Sequence, residues 1–432
     1  MKNQCGWIAL AGTSPGRDHL KGPEKADWLI IGAGITGLSA AHSLAEMYPE
    51  ARIVVVDRQR AAQGASARNS GYAVSHENPG DDELIGHSGF AGFEVDSAIG
   101  CAAGEEVRKR ISRHGIECEY RDSGYYFAVN DPAKLTHIEA KLKTLSAVGA
   151  SAQFLEGGQL AQKLGTRHYR AAIWCGNGNA LLQPAKYVKG LLDALPANVS
   201  VFENTEISGL EPVRGGVRAT GTQGSIEAGQ VLVCLNAFIP RAGIDNSATF
   251  PMELSASLTR PLTDREYAAI GSVEPWGVLS TRPLGATVRL TPDRRVMIRN
   301  TAEYRTKDLS DSDLIQRRKH HALGLQRRFP GLTEQDIDYT WTGHLSATRS
   351  GQPYFAKVQE RVFAVAGCNG SGVARGTLWG RLLAEMASGA SSPLLQSVMD
   401  RARPGWLPPR PFFDIGAVLR MRVEAVRART EI

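Results

Sequence analysis

What the chain has little of narrows it first. Its six cysteines, Cys5, Cys101, Cys118, Cys175, Cys234 and Cys368, are scattered over 432 residues, and no two form a C-x-x-C pair. No histidine cluster accompanies them, so no metal is expected and a disulfide framework has no basis at this density. The composition suits a reducing compartment, and a cytoplasmic location is expected. No apolar run reaches the roughly 20 residues that a membrane span requires, so no transmembrane segment is expected. Residues 1–26 offer only the short run Trp7-Ile8-Ala9-Leu10-Ala11 before glycine, proline and charge. That is too short for a secretory core and reads as an N-terminal arm. Fixed-period repeats and long low-complexity tracts are also missing. The excess of positive charge is only +6. Over a surface of this size it describes a basic protein, and no nucleic-acid partner is expected. At 432 residues the chain exceeds one ordinary core, so two domains or one composite unit are expected.

What is present begins at Asp27-Trp28-Leu29-Ile30-Ile31-Gly32-Ala33-Gly34-Ile35-Thr36-Gly37, a buried strand running into G-x-G-x-x-G. A helix follows over 37–47, then an apolar strand over 53–56 that ends in Asp57, about twenty residues beyond Gly37. In such a unit Gly32 permits the turn off the strand, Gly34 lets backbone approach a pyrophosphate, and Gly37 lets the helix lie close to the sheet. The helix N-terminus, with Ile35 and Thr36, offers N–H groups to the phosphates. Asp57 is placed to accept from the ribose hydroxyls, with Arg58 beside it. The spacing therefore marks a dinucleotide site.

Further along, Gln63-Gly64-Ala65-Ser66-Ala67-Arg68-Asn69-Ser70-Gly71-Tyr72 is rich in small residues, which suits backbone pressed against a ligand. Helices are expected over 96–115, from Asp131-Pro132 onward, and over 180–195, 312–329, 373–387 and 415–429. Strands are expected over 120–129, 199–202, 217–220, 225–228, 231–235, 254–258, 287–290, 296–299 and 362–366. Helix and strand alternate at both ends, while a strand-rich block fills the middle. That order predicts an α/β chain with an α+β second domain, in which a Rossmann-like nucleotide-binding domain is interleaved with a mainly antiparallel-sheet substrate domain. Residues 27–95, 180–245 and 340–405 are assigned to the first domain. Residues 96–179 and 246–339 go to the second, and 406–432 form a C-terminal helix. The basic face of 312–329 reads as solvated. The basic C-terminal helix, with Leu419 and Val423 opposite Arg420, Arg422 and Arg427, leaves room for docking on a membrane surface or a partner. It is expected to pack on its own domain or a second subunit, and a homo-oligomer is left open.

A second glycine-rich turn, Gly367-Cys368-Asn369-Gly370-Ser371-Gly372, follows the 362–366 strand and opens a helix. Two such turns at opposite ends of the chain suit a ligand long enough to touch both, and FAD is such a ligand. The helix beginning near Gly372 would aim its positive end at the flavin pyrimidine ring.

The sequence here resembles the glycine/D-amino-acid oxidase-like family of FAD-dependent oxidoreductases, and within it the gamma-glutamylputrescine oxidase branch. The resemblance is carried by residues 31–41, the loop 64–71, Arg289-Leu290-Thr291-Pro292-Asp293, Trp341-Thr342-Gly343 and Gly370-Ser371-Gly372-Val373. That branch commonly has Gly-Arg-Asn-Gly-Gly where this chain has Ala67-Arg68-Asn69-Ser70-Gly71. It commonly has Ser-Gly-His-Gly where this chain has Asn369-Gly370-Ser371-Gly372, so Ser371 replaces the usual histidine.

The resemblance implies oxidation of the C–N bond of a small amine or amino acid, with hydride passing to flavin N5 and hydrolysis of the imine. Such chemistry needs little acid–base machinery, which fits a sequence without an evident triad or carboxylate pair. FAD would be held by Gly32, Gly34, Ile35, Thr36, Gly37, Asp57, Arg58, Ser66, Arg68, Asn69, Ser70, Gly370, Ser371, Gly372 and Val373. Attachment is expected to be non-covalent, with Cys368 a neighbour. Substrate candidates are Tyr125, Tyr126, Arg289, Trp341 and His344. An aromatic cage would suit an amine, and an arginine-led pocket would suit an amino-acid carboxylate. The acceptor is expected to be O2. Transfer to a quinone or electron-transfer protein, or a structural FAD, remain the alternatives.

Overall fold

The Gly22–Ile31 strand organises the first of two eight-stranded sheets. It pairs in parallel with Ile53–Val56 on one side and Gly224–Val233 on the other, with Leu29 opposite both Val54 and Val231. Val199–Phe202 and Val362–Ala366 extend the parallel core at its two ends. Tyr354–Gln359 closes one edge antiparallel, and Gly216–Gly221 with Ile207–Val213 forms a hairpin extension from Gly224–Val233. The Ile53–Val56 strand is buried on both faces, hence its uninterrupted apolar run. Ile30, Val55 and Leu232 pack beneath the helices Ile35–Met47, Phe90–His114, Pro184–Asp193 and Ala374–Ser388. Their alternates Leu29, Ile31, Val54 and Val231 pack on the opposite side, against the hairpin extension. The computed structural model describes residues 4–131, 135, 137–244, 247–305 and 309–432.

The second sheet runs in the order Ile337–Thr348, Thr249–Thr259, Val296–Glu303, Thr287–Leu290, Trp276–Ser280, Tyr125–Val129, Ala171–Cys175, Ala152–Glu156. Among the described residues its pairings are antiparallel except that of Trp276–Ser280 with Tyr125–Val129. One face buries Val288, Leu290, Val296 and Ile298 against Ala322 and Leu325 of the helix Asp311–Arg328. The other face turns toward the nucleotide-binding sheet. The α/β class with an interleaved, mainly antiparallel second sheet is thus the observed architecture.

Several elements differ locally from expectation. The stretch 180–195 is not one helix: Ala180–Leu181 pairs with Tyr72–Ala73, and the helix begins only at Pro184. Proline at the first helical position and the Gln183 side chain, which accepts from Lys186 N–H at 2.9 Å, set that start. Residues 225–228 and 231–233 merge into one strand, Gly224–Val233, that pairs with Gly22–Ile31 at nine positions, while 234 and 235 lie beyond it. The strand expected from 120 starts at Tyr125, because Gly124 has φ +68° and turns the chain there. The helix start expected at Asp131-Pro132 lies partly outside the described residues, and the helix is Ile138–Ala147. The domain boundary expected at 340 falls inside Ile337–Thr348, which pairs with Thr249–Thr259 along its length and belongs to the second sheet. The N-terminal arm is not loose. Gly6–Leu10 is helical, and buried Trp7 stacks edge-on against Trp341 at 6.1 Å.

Candidate functional site

Gly32 and Gly37 fix the first turn. Gly32 has φ +110°, and a Cβ there would lie 2.7 Å from the Cys234 carbonyl. A Cβ on Gly37 would lie 1.8 Å from the Gly32 carbonyl, so the Ile35–Met47 helix approaches the strand end as only glycine permits. Asp57 sits beside this turn. One carboxylate oxygen accepts from Ala33 N–H and the other from Gln59 N–H, both at 2.9 Å. Burial raises its pKa, against the pull of these two N–H groups and of Arg58.

The small-residue loop lies across the helix N-terminus. Ser66 Oγ accepts from Ile35 N–H at 3.0 Å. Asn69 donates to Ser66 O at 2.7 Å and accepts from Gly71 N–H at 2.8 Å. Arg68 donates to Gln63 O at 2.9 Å, and its own carbonyl accepts from Trp341 Nε1 at 2.9 Å. The loop is therefore pinned between the two sheets.

The second turn faces the first. Gly370 has φ +97°, and Asn369 closes the turn by accepting from Thr348 N–H at 2.9 Å. The Ala374–Ser388 helix crosses Ile35–Met47 closely, for a Cβ on Gly380 would lie 2.3 Å from Thr36 O. Both helices thus bring their N-termini to one cavity of about 1410 Å³. Its wall includes Gly32, Gly34, Ile35, Thr36, Asp57 and Arg58 at one end and Gly370, Ser371, Gly372 and Val373 at the other. Ser66, Arg68, Asn69 and Ser70 line the passage between them, while Gly37 lies behind the wall as a packing contact. The cavity opens where the strand order reverses, beyond the carboxyl ends of Gly22–Ile31 and Gly224–Val233, which is where ligands bind in such sheets. An elongated cradle with one helix N-terminus at one end and a second helix N-terminus at the other fits FAD.

The substrate candidates separate. Trp341 and His344 line the cavity; the His344 ring lies edge-on to Phe238 at 5.4 Å. Tyr125, Tyr126 and Arg289 do not. Tyr126 packs on the helix side of the sheet, and strand alternation sends its neighbour Phe127 to the cavity instead. Tyr125 is fully buried and donates to Asn179 Oδ1 at 3.0 Å. Arg289 lies 5.1 Å over the Trp7 ring and donates to the carbonyls of Ser70 at 3.0 Å and Leu182 at 2.8 Å. It ties the arm to the loop.

Two residues missed from sequence, Arg299 and Glu77, and the expected neighbour Cys368 complete the picture. Arg299 lines the cavity, donates to the Thr287 hydroxyl and has no carboxylate partner among the described residues. Burial lowers its pKa to about 10, which leaves it a cation at neutral pH. The register Thr287 opposite Arg299 puts it on the cavity face. Glu77 accepts from Ser371 Oγ at 2.8 Å and pairs with Arg375 at 3.0 Å, so the residue standing for the branch's histidine is tethered to a carboxylate. Cys368 lines the cavity and its sulfur accepts from Asn236 Nδ2 at 3.3 Å. Among the described residues no group of three or more His, Cys, Asp or Glu is arranged to hold a metal.

Behind the second sheet, His321 is fully buried and bridges Ser257 Oγ at 2.7 Å and Ser255 Oγ at 3.2 Å. Burial lowers its pKa to about 3, and that of buried His42 to about 4. Both are neutral when folded, whereas the unfolded chain takes up protons below about 6.5. Their contribution to stability is therefore complete above that pH and falls as the pH drops toward the folded values. At pH 5 the loss is about 2 kcal/mol for each. Thermal unfolding at pH 7.5 and pH 5 should show this fall. The His321→Gln variant should show a shallower one; an identical slope would remove His321 from the account.

Fold and site together define a flavoprotein-type dinucleotide binder with a second, sheet-built half over the far end of its cavity. The family model for FAD dependent oxidoreductases (DAO) matches residues 27–386. The chain belongs to this family and is an FAD-dependent oxidoreductase. It is 28% identical over 383 residues to gamma-glutamylputrescine oxidoreductase of Escherichia coli K12, covering 86% of each chain. In fold it is similar to glycine oxidase from Geobacillus kaustophilus, with TM-score 0.71, 16% identity and coverage of 86% of this chain and 96% of that one. L-proline dehydrogenase from P. horikoshii aligns with TM-score 0.69 and 18% identity over 87% of this chain and 96% of the other.

Proposed function

We propose that the protein oxidises the C–N bond of a small amine that carries an anionic group, an amino acid or N-substituted amino acid. Arg299 carries this reading. A half-buried guanidinium in the cavity wall, with a hydroxyl for its partner among the described residues, is favoured by a bound ligand that supplies an anion. Its planar fork suits a carboxylate. Phe127, Leu254, Leu279 and Ala302 line the cavity with it and would desolvate the amine, favouring the neutral form that reacts. Bound FAD supplies the hydride acceptor. Asp57 would hold its ribose, the N–H groups at Gly34–Thr36 and the loop at Ser66 and Arg68 its phosphates, and Gly370–Val373 its flavin end. Cys368 is read as a non-covalent neighbour, since its sulfur already accepts from Asn236. O2 is the proposed acceptor. A second reading, transfer to a quinone or electron-transfer protein, is favoured by one observation: Arg420, Met421 and Glu424 of the C-terminal helix border the cavity beside an exposed apolar surface.

Anaerobic titration of the yellow holoprotein tests this. Bleaching by carboxylate-bearing amines and return of colour in air is the expected result. Bleaching without return selects the second reading. Reduction by uncharged amines or diamines alone would overturn the role given to Arg299. Acid precipitation should leave a colourless pellet; a yellow pellet would mean covalent attachment.

A further inference from the structure

The C-terminal helix Phe412–Arg427 is amphipathic in an unusual sense, because its outward face is the more apolar one. Phe412, Ile415, Leu419, Val423 and Val426 follow one another at three- and four-residue steps, which places them on a single face. Each is between 47% and 71% exposed. Trp406, in the segment that leads into the helix, is 68% exposed. The inward face is occupied separately. Phe413 packs on Phe250 at 5.1 Å and Tyr304 at 5.4 Å, Asp414 accepts from the Tyr304 hydroxyl, and Glu424 is buried. The stripe is therefore not needed to hold the helix on the protein.

Charge decides what covers it. Arg420 and Arg427 run along one edge of the stripe and Arg422 along the other, with exposed Arg429 in the turn just past the helix end. Arg420 and Arg427 share one carboxylate, Glu424, at 3.1 and 3.0 Å. Arg422 and Arg429 have no acidic partner among the described residues. The acids of this helix, Asp414 and Glu424, both lie on the inward side. A second copy of the chain docked stripe to stripe would set arginine edge against arginine edge in either orientation. An anionic surface meets both edges with the opposite charge.

We propose that this face docks on an anionic phospholipid bilayer, with the apolar stripe entering the acyl boundary and the flanking arginines at headgroup level. The helix would lie in the plane of the membrane, since no helix of the described residues is long and apolar enough to cross one. Arg420, Met421 and Glu424 border the cavity, so docking would set the cavity's mouth close to the lipid surface.

Co-sedimentation of the FAD-loaded protein with vesicles tests the proposal. Binding to mixed phosphatidylglycerol–phosphatidylcholine vesicles should exceed binding to pure phosphatidylcholine by at least about tenfold and weaken in high salt. The double variant Leu419→Glu, Val423→Glu should lose at least about tenfold in binding while keeping its FAD and its melting temperature. Arg422→Glu with Arg429→Glu should abolish the preference for anionic vesicles. Three outcomes would overturn the proposal: no binding to the anionic vesicles, equal binding to both kinds, or a dimer in light scattering that the Leu419→Glu, Val423→Glu variant converts to monomer. Vesicle binding is read without turnover, so its outcome is separate from that of the amine titrations.

Discussion

Replacing Gly37 with alanine should give a folded protein that purifies without its yellow colour. Intrinsic helix propensity alone favours alanine by about 1 kcal/mol over glycine. The contact outweighs that preference, because the new Cβ would lie 1.8 Å from the Gly32 carbonyl, a backbone atom that cannot rotate away. The Ile35–Met47 helix must then lift off the strand end by more than an ångström. Its first turn carries the N–H groups at the cavity wall, and Leu38 N–H already spends its hydrogen bond on Gly34 O at 2.9 Å, so the turn moves as a unit. Overpacking of this kind costs typically 1–3 kcal/mol. Its effect on FAD affinity, where N–H positions matter to tenths of an ångström, should reach about 100-fold. Gly64→Ala is the matched control: it borders the same cavity, and a Cβ there meets nothing within 4 Å. The ratio of flavin to protein absorbance after dialysis distinguishes the two. If Gly37→Ala retained FAD as well as Gly64→Ala does, close helix–strand approach would not be what builds the cradle.

The contrast between these glycines also shows what a sequence carries. The first βαβ unit is legible because all its constraints are local: strand, turn, helix and acid lie within residues 27–57. The second glycine turn is legible for the same reason, since the Val362–Ala366 strand runs straight into it. Register is not local. Arg289 and Arg299 both sit on strands, and only Arg289 was expected at the substrate. The pairing of Thr287 with Arg299 and of Arg289 with Met297 puts both arginines on one face of the sheet, and their different positions along the strands set one at the cavity and the other over Trp7. For Tyr126 and Phe127 the face itself decides, since a shift of one residue exchanges the faces. The link from Glu77 to Ser371 joins residues 294 positions apart, and nothing in either neighbourhood announces the other. A trace of Arg299 was nonetheless present: it directly follows the apolar run Val296-Met297-Ile298, where a charged residue calls for a partner.

Arg299→Leu should separate stability from function, with opposite signs. Removing a half-buried cation whose partner among the described residues is a hydroxyl relieves part of its desolvation and breaks no ion pair, so the ligand-free protein should melt slightly higher. Arg289→Leu should do the reverse, because Arg289 satisfies the carbonyls of Ser70 and Leu182 that would be left buried without a donor. Turnover should respond in the other direction. Loss of one partner of a desolvated, hydrogen-bonded charge pair costs about 2–5 kcal/mol, so kcat/KM for a carboxylate-bearing amine should fall by a factor on the order of 100 to 1000. FAD content should stay unchanged, because Arg299 belongs to the second sheet and not to either glycine turn. Arg299→Lys restores the charge without the planar fork and should recover only part of the loss. Melting temperature, flavin content and kcat/KM measured on the three variants form a single test. A fall in stability for Arg299→Leu with unchanged kcat/KM would mean that the guanidinium serves the sheet and not the substrate.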